Sequence, residues 1–299
     1  MIDFNGIETR ENEPLSKHST FKIGGNAKIS VFPKSTREMI SVLKAVKNCS
    51  YKYKIIGNGS NILFDDKGFD GIIIFTKKIS DVEYIHKNGS TLIKVACGKS
   101  LTELAGEAGK KHSLTGLEFA YGIPGTVGGA VFMNAGAYGG QMSDVVVETE
   151  YFDTESGEVK TITAKEQHFD YRHSVFSDHP EYIIISTTVE LKEGNAEEIF
   201  ALMNKNMTAR REKQPLEYPN AGSTFKRPTG HFAGKLIEDC GLKGYTVGGA
   251  QISEKHAGFT VNIGGATGAD VLALIEHTKK CVKESFDVEL ESEIIYLPY

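Results

Sequence analysis

Short apolar runs separated by polar turns fill the first half of the chain, and many of their residues are β-branched. Such runs predict β-strands, here at residues 27–32, 54–57, 62–64, 71–75 and 91–96. Two of the intervening segments begin with a capping box, at Ser35–Glu38 and at Ser100–Glu103. A Ser followed three residues later by a Glu predicts the start of a helix, so strands and helices are both expected here.

The second half contains longer predicted elements. Strands are expected at 144–152, 158–163 and 182–191, and a break follows at Glu193–Asn195. Helical spacing begins at Ala196, and beyond it we predict a helix at 231–240, a strand at 257–262, a helix at 267–286 and a closing strand at 288–297. Because helices and strands do not alternate strictly, we expect an α+β fold, divided into domains at 1–195 and 196–299.

Composition limits the class of protein. The 299 residues are 40% hydrophobic and 24% charged, which is enough apolar side chain for a core and excludes disorder as the dominant state. A chain of this length typically folds as two domains. The net charge of −5 argues against a general nucleic-acid binder, which needs a strongly basic surface.

The four cysteines contain no CxxC pair, so a zinc or redox motif is not expected. We interpret them as reduced, mostly buried thiols of a cytoplasmic protein. Residues 1–18 carry charges throughout, which does not fit a signal peptide. The uncharged run Phe119–Ser143 contains seven glycines, which is typical of loops and not of a membrane helix.

The first candidate site is the turn Gly57–Asn61 between two predicted strands. Glycines permit close backbone approach, and consecutive N–H groups can bind an anion. A plain hairpin turn is the alternative, because Asn-Gly is a strong turn signal. The segment is not a Rossmann fingerprint, since no GxGxxG opens a helix here.

The second candidate is the glycine-rich segment Gly122–Gly140. Pro124-Gly125-Thr126 is expected to lead into a short helix, whose N-terminal N–H groups suit a pyrophosphate. The alternative is a buried helix whose small residues permit tight packing. Two glycine-rich elements in one domain favour one large nucleotide ligand.

A third candidate is Arg172, which lies between Tyr171 and His173. Only six residues are Arg against 28 Lys, and the guanidinium fork suits a carboxylate in a way that Lys cannot match. A surface Arg in a loop is the alternative.

A fourth candidate is Asn220–Pro228, a Gly-Ser turn that follows the basic segment Arg210–Pro215. The cations indicate either a polyanionic substrate, such as a nucleotide diphosphate, or a solvated basic surface. Ser223 lacks a GxSxG context, so a hydrolase triad is not expected.

The last candidate is Leu290–Tyr296, where strand alternation places Glu291 and Glu293 on one face. One of them could be partly buried beside a cation, or both could lie on an exposed face. The nine histidines show no HxxxH or HxH spacing, so no metal site is expected.

Taken in order along the chain, these segments resemble the UDP-N-acetylenolpyruvoylglucosamine reductase family, also called UDP-N-acetylmuramate dehydrogenases, which are flavoenzymes of bacterial peptidoglycan synthesis. The resemblance covers residues 15–296. Its motifs are Ser19–Gly25, Gly57–Asn61, Gly122–Gly129, Asn134–Gly139, Tyr171-Arg172, Asn220–Ser223, Leu242–Gly244 and Leu290–Glu293.

The resemblance implies a two-lobed FAD-binding domain of the vanillyl-alcohol-oxidase (PCMH) type in residues 1–195, and a C-terminal α+β domain that binds the UDP-sugar. The residues implied in cofactor binding are Gly57, Asn58, Gly59, Ser60, Asn61, Gly125, Thr126, Gly128, Gly129, Ala130 and Arg210. Those implied in substrate binding are Tyr138, Lys213, Lys226 and Lys243. No His or Cys matches a flavin attachment pattern, so non-covalent FAD is expected.

The reaction implied is the reduction of UDP-N-acetylglucosamine enolpyruvate by NADPH through FAD, with hydride passing from flavin N5 to C3. Arg172 and Glu293 would stabilise the enolate-like state, and Glu293 would donate a hydrogen bond only with a raised pKa. Ser223 would give the proton to C2, with Lys226 suggested as its cationic neighbour.

About ten residues separate Arg172 from the strand near Ile183, so the chain resembles the shorter form of the family, without the inserted tyrosine loop. The partners implied are the UDP-sugar and NADPH, with no nucleic acid and no membrane. The oligomeric state stays open.

Two other functions fit part of the pattern. An FAD-dependent oxidase of the same fold, acting on a sugar or alcohol with oxygen, would explain the flavin segments but not Arg172, Ser223 and Glu293 together with the lysines. A non-enzymatic module that senses UDP-sugars or flavin is the other alternative.

Overall fold

The computed structural model describes residues 4–47 and 49–299. The chain divides into two compact units, each assembled from separate stretches of sequence. Unit 1 comprises residues 4–10, Ser30–Asn58 and Ile73–Ala209, and unit 2 comprises Glu11–Ile29, Gly59–Ile72 and Arg210–Tyr299. The predicted domains at 1–195 and 196–299 are continuous in sequence, and their bounds stay a prediction.

The chain folds into helices and strands in mixed order. The helices are α1 (Thr36–Lys47), α2 (Leu101–His112), α3 (Val127–Phe132), α4 (Val175–Asp178), α5 (Ala196–Lys213), α6 (Ala233–Asp239) and α7 (Gly268–Phe286). The strands are β1 (Thr9–Pro14), β2 (Asn26–Val31), β3 (Tyr53–Ile56), β4 (Ile62–Phe64), β5 (Phe69–Phe75), β6 (Val82–Lys87), β7 (Ser90–Ala96), β8 (Leu114–Thr115), β9 (Gly136–Ala137), β10 (Gly140–Gln141), β11 (Val146–Asp153), β12 (Glu158–Thr163), β13 (Tyr182–Glu193), β14 (Asn220–Ser223), β15 (Thr246–Val247), β16 (Ala250–Ile252), β17 (Phe259–Asn262) and β18 (Ile295–Leu297).

The largest sheet lies in unit 1 and has the order β12-β11-β13-β7-β6, with β8 beside β13. All of its pairings are antiparallel. Its central strand β13 is rich in Ile, Thr and Val, which fit a pleated, packed surface. A second sheet has the order β1-β2-β5-β3.

Unit 2 contains a four-stranded sheet of order β14-β17-β16-β15 and a parallel pair, β18 with β4. Its core gathers apolar residues from α6, α7 and the loops, including Phe21, Phe225, Leu236, Val271 and Leu274. This core supports β14 and the segment before β18, the two stretches that carry Ser223 and Glu293.

Most predicted elements are confirmed. Both capping boxes start helices, because the Ser35 and Ser100 hydroxyls accept hydrogen bonds from the amides of Glu38 (3.2 Å) and Glu103 (3.3 Å). Strand β12 has the predicted bounds. Eight of the described strands were not predicted. Strands β1 and β6 have mostly exposed residues and a weak apolar signal, and the other six (β8, β9, β10, β14, β15 and β16) are only two to four residues long.

Two expectations are wrong. The closing strand predicted at 288–297 is regular only at β18, Ile295–Leu297. The cysteines are all free, but only Cys97 is buried, while the other three are half-buried. Burial raises the pKa of the Cys97 thiol to about 12.

No helix within residues 4–47 and 49–299 combines the length and the apolar character that crossing a membrane requires.

Candidate active site

In unit 1, the first two residues of one glycine-rich segment, Gly57 and Asn58, lie against the other segment. Gly57 follows β3, and a Cβ atom added to it would lie 2.3 Å from Thr126 Oγ1. The neighbouring Asn58 donates its side-chain amide to the carbonyl oxygen of Pro124 at 2.6 Å. Gly57 is therefore required by the close approach of the two loops.

The start of α3 differs from the expectation of free N–H groups. The amides of Val127 and Gly128 donate to the carbonyl oxygens of Lys99 (2.9 Å) and Cys97 (2.8 Å). The amide of Gly129 donates to the hydroxyl of Thr126 at 3.4 Å, which caps the helix. All three amides already have hydrogen-bond acceptors within the protein. The expectation that they are free to bind a pyrophosphate is therefore wrong.

Other donors near α3 have no such partners. Among the described residues, the amides of Asn58, Gly125 and Thr126 donate to none. Gly129 is exposed, and a Cβ atom there would meet only Thr126 Oγ1, at 3.5 Å. Unpaired backbone amides beside close-packed glycines form the kind of surface that binds phosphate oxygens, so the residues present fit the pyrophosphate of FAD.

Gly128 and Ala130 serve packing. A Cβ atom on Gly128 would lie 2.8 Å from the Cys97 Cβ. Ala130 is buried. At these two positions the small residues permit tight packing of a buried helix, which was the alternative to a ligand site in the sequence analysis.

The rest of the first glycine turn, Gly59–Asn61, belongs to unit 2. Gly59 has φ +62°, and a Cβ atom there would lie 2.2 Å from the carbonyl oxygen of His18. Ser60 is half-buried. Asn61 donates its side-chain amide to the Glu293 carbonyl oxygen at 3.0 Å, and its own carbonyl accepts from Ile295 N at 3.0 Å.

Ser223 and Glu293 are brought close in unit 2 by backbone pairing. Ser223 ends β14 and pairs with Phe259 of β17. The next residue, Thr224, accepts a hydrogen bond from Glu293 N at 2.9 Å through its carbonyl oxygen. An isolated antiparallel bridge joins Phe225 and Ser292. The serine and the glutamate therefore lie on adjacent backbone segments, and both residues are half-buried.

Thr224 anchors this pairing. It is buried, and its hydroxyl contacts the Thr260 hydroxyl at 3.0 Å and accepts from Thr260 N at 2.9 Å. Its own amide donates to Gly258 O at 2.8 Å. The amide of Gly258 in turn donates to His256 Nδ1 at 3.0 Å. Burial lowers the pKa of His256, so this ring is held in its neutral form.

The candidate cations of unit 2 have different surroundings. Lys226 forms an ion pair with the exposed Glu291 at 2.5 Å, and Lys243 forms one with Glu238 at 3.1 Å. Lys213 is the exposed last residue of α5, and Arg210 lies one turn earlier. Residues three apart share a helix face.

Arg172 lies in unit 1, in a tight turn that Asp170 and His173 close with two backbone hydrogen bonds (3.1 and 3.2 Å). Its φ is +56°, which is uncommon for a residue with a side chain. Its guanidinium stacks on the Tyr171 ring, 5.0 Å from the centroid, and Nη2 approaches Gly136 O at 3.5 Å.

Tyr138 occupies the two-residue turn between β9 and β10, together with Gly139. Both residues have positive φ, +53° and +87°, as a type I′ turn requires. The side chain of Tyr138 is exposed. A bulky residue in this conformation is typical of a functional position.

Comparison with known proteins decides the family. A protein of Caldanaerobacter subterraneus subsp. tengcongensis named UDP-N-acetylenolpyruvoylglucosamine reductase is 47% identical over 283 residues, covering 95% of this chain and 91% of that protein. A protein of the same name from Caldicellulosiruptor saccharolyticus is 47% identical over 293 residues, covering 97% and 92%. The chain belongs to the UDP-N-acetylenolpyruvoylglucosamine reductase family.

Family profiles and a solved structure agree with this assignment. The profile described as "FAD binding domain" matches residues 27–163, and the one described as "UDP-N-acetylenolpyruvoylglucosamine reductase, C-terminal domain" matches residues 214–297. The crystal structure of UDP-N-acetylenolpyruvylglucosamine reductase from Thermus caldophilus is similar at TM-score 0.79 and 34% identity, covering 98% of this chain and 99% of that one.

Membership of the reductase family confirms the resemblance and the α+β fold with an FAD-binding domain and a C-terminal domain. The chain is a flavin-dependent oxidoreductase whose cofactor is FAD. The residues assigned to cofactor, substrate and catalysis stay predictions.

Sequence reasoning missed two supporting residues. Thr224 lies in the candidate segment Asn220–Pro228 and Asn134 in the motif Asn134–Gly139, but the sequence indicated no structural role for either residue. Asn134 is buried and has φ +42°. An Asn that closely follows the predicted start of a short helix was the available signal, since Asn tolerates this conformation better than most residues.

Proposed function

We propose that this protein reduces UDP-N-acetylglucosamine enolpyruvate to UDP-N-acetylmuramate in bacterial peptidoglycan synthesis, with NADPH as the reductant. The observation that carries the proposal is the pairing of Glu293 N with Thr224 O at 2.9 Å, which places Glu293 beside Ser223 within the C-terminal domain matched to the family. This arrangement supplies a hydroxyl and a carboxyl group on neighbouring segments.

FAD would be held at its pyrophosphate by the amides of Asn58, Gly125 and Thr126, near Gly57 and the exposed Gly129. The chemistry that bound FAD would supply is hydride transfer, from NADPH to C3 of the enolpyruvyl group by way of flavin N5. No attachment motif accompanies these residues, so we propose that the cofactor is bound without a covalent link. Arg210 is assigned to the flavin by the family resemblance.

Arg172 would stabilise the negative charge that forms at C2 and spreads into the substrate carboxylate. A guanidinium suits this task because its fork matches the two carboxylate oxygens. Two backbone hydrogen bonds between Asp170 and His173 hold its turn, and a donor that needs no reorganisation is most effective at the transition state. Glu293 would add a hydrogen bond to the same state in its protonated form.

Ser223 would donate the proton that C2 receives. A hydroxyl is a weak acid, so the step requires a cation or a water relay to assist it. Lys226 is three residues away in sequence, but its ammonium is paired with Glu291 at 2.5 Å. Glu291 is exposed, and exposed pairs are worth little, so substrate phosphates can compete for this lysine at small cost.

Tyr138, Lys213, Lys226 and Lys243 would hold the UDP-sugar. The negative charge of the substrate pyrophosphate is distant from the reacting carbon, so these residues would contribute mainly to substrate affinity. The partner in the Lys243 ion pair, Glu238, is also exposed, which leaves the lysine available to exchange partners.

The test is anaerobic mixing with NADPH and then with the enolpyruvyl UDP-sugar, followed through the flavin absorbance. NADPH is expected to bleach the flavin and the sugar to restore its colour, with UDP-N-acetylmuramate as the product. Reoxidation by oxygen but not by the sugar would support the oxidase instead, and a protein that purifies without flavin would support the sensor. FAD that remains attached after denaturation would contradict non-covalent binding.

A further inference from the structure

Asn134 joins the two loops of unit 1 that carry Tyr138 and Arg172. The residue is 1% exposed, and its φ of +42° places it in the left-handed region two positions after the end of α3. The amide nitrogen Nδ2 donates to Asp170 O at 3.0 Å and approaches Gln141 Oε1 at 3.4 Å. The oxygen Oδ1 accepts from Ser143 N at 3.0 Å.

Two of these bonds connect Asn134 to segments that contain a candidate site residue. Asp170 O also accepts the His173 amide that closes the Arg172 turn, at 3.2 Å. Gln141 belongs to β10, the second strand of the hairpin whose turn contains Tyr138. One buried amide therefore ties the Arg172 turn to the Tyr138 hairpin.

A second contact between the same segments involves Arg172 itself. Its Nη2 lies 3.5 Å from Gly136 O in β9, the first strand of that hairpin. Asn134, Tyr138 and Arg172 all have positive φ, at +42°, +53° and +56°. Side chains in this region are strained unless the surroundings hold them, and the bonds of Asn134 supply that constraint.

We propose that Asn134 is a positioning residue for Arg172. By holding Asp170 O and Gln141 at fixed distances, it sets the turn that aims the guanidinium for the reduction of the enolpyruvyl group. The inference rests on the proposed function, because it concerns the step in which Arg172 acts.

The test uses two substitutions, one that changes the hydrogen-bonding group of Asn134 and one that removes its side chain. Asn134→Asp keeps the shape of the side chain, and Asp also tolerates positive φ. It replaces the donor Nδ2 by an oxygen that faces two acceptors, Asp170 O and Gln141 Oε1. Asn134→Gly keeps the backbone conformation and removes the side chain, so it serves if the aspartate variant does not fold. The matched control is Asn206→Asp, since Asn206 is also buried in unit 1 and donates to Glu118 O at 3.2 Å.

In stopped-flow measurements, Asn134→Asp is expected to slow flavin reoxidation by the enolpyruvyl substrate about 10- to 100-fold, the effect of misplacing a reacting group. Reduction by NADPH should change by less than about 2-fold, and Asn206→Asp should change neither half-reaction beyond that range. In an Arg172→Ala background, Asn134→Asp should add less than about 2-fold, because the residue it positions is gone.

Three outcomes would overturn the inference. Equal slowing of both half-reactions would show a structural role only. An unchanged penalty in the Arg172→Ala background would show that Asn134 acts independently of Arg172, while leaving the proposed function intact. If Arg172→Ala leaves reoxidation unchanged, the role of Arg172 in the proposed function fails together with the role of Asn134.

Discussion

The amide of Glu293 donates to the carbonyl oxygen of Thr224 at 2.9 Å, although 69 positions separate the two residues in the chain. This bond and the neighbouring one from Lys226 N to Glu291 O, also 2.9 Å, hold the C-terminal glutamates beside the end of β14, where the sequence had predicted a turn. Ser223 and Glu293 consequently depend on the same local backbone pairing.

Ser223→Ala should leave flavin reduction by NADPH nearly unchanged, because that half-reaction needs no proton at C2. It should slow reoxidation by the enolpyruvyl substrate at least about 10²-fold, the lower range for loss of a positioned general acid. Stopped-flow absorbance on each half-reaction measures both effects. Equal slowing of both would make Ser223 structural, and no slowing of either would mean that another group delivers the proton.

Lys213→Ala and Lys243→Ala provide the contrast. These lysines would contact the substrate at atoms distant from the reacting carbon. Such contacts stabilise the ground state and the transition state equally, so their loss should mainly raise KM and leave kcat within about 3-fold. Steady-state kinetics with the enolpyruvyl sugar makes the comparison. A fall in kcat with KM unchanged would assign them to chemistry.

Gly129→Val should reduce FAD affinity without unfolding the protein. The Gly129 Cβ position is open except for Thr126 Oγ1 at 3.5 Å, so a side chain there would point toward the proposed flavin surface. Gly128→Val is the comparison, because its side chain would collide with Cys97 at 2.8 Å and destabilise the fold itself. Flavin content and thermal melting separate the two; full flavin in Gly129→Val would place the cofactor elsewhere.

Lys99→Met should destabilise unit 1. The Lys99 side chain is 10% exposed, and its ammonium pairs with Glu107 at 3.1 Å and with Glu103 at 3.5 Å. Removing one partner of a buried pair costs about 3–5 kcal/mol, and the partial exposure of both carboxylates reduces this to about 1–3 kcal/mol.

The matched control is Lys111→Met, since Lys111 contacts the same Glu107 at 3.8 Å but is 68% exposed. It should change the free energy of unfolding by less than about 0.5 kcal/mol. Denaturant unfolding of both variants makes the comparison, and equal losses would show that burial of Lys99 contributes nothing.

Tyr296→Phe should change how stability depends on alkaline pH. A hydrogen bond to the Asp65 carboxylate raises the pKa of Tyr296 to about 12. The unfolded chain ionises its tyrosines near pH 10. Stability from this bond is therefore complete below about pH 10 and is lost as the pH rises toward 12.

The same bond is the main cause that lowers the pKa of Asp65, so its contribution is also lost when acid protonates that carboxylate. At neutral pH the phenylalanine variant should lose about 1 kcal/mol, the net value of one hydrogen bond. Thermal melting between neutral pH and pH about 12 tests this: the melting temperatures of the two proteins should converge. Parallel curves would show that the bond is not formed in solution.

Much of the local structure could be predicted from the sequence. Ser35 and Ser100 start helices because a capping box satisfies N–H groups with residues only three positions apart. The glycine segments around Gly57 and Thr126 were expected to serve one ligand, and they lie close together, while the ligand site itself stays a prediction. The ordered motifs indicated the family. These signals are local, so a short window of sequence contains all the interacting groups.

Tertiary structure decided the rest, because the partners are distant in the chain. The amides of Val127 and Gly128 are used by Lys99 and Cys97, which no pattern near α3 could reveal. Residues 288–294 show strand alternation but lack a continuous partner, so only Ile295–Leu297 forms a strand, beside β4. The sequence by itself determined two helix starts and indicated the family. The pairing of segments 224–226 and 291–293 required the folded chain, because backbone hydrogen bonds depend on which segments meet and not on their own side chains.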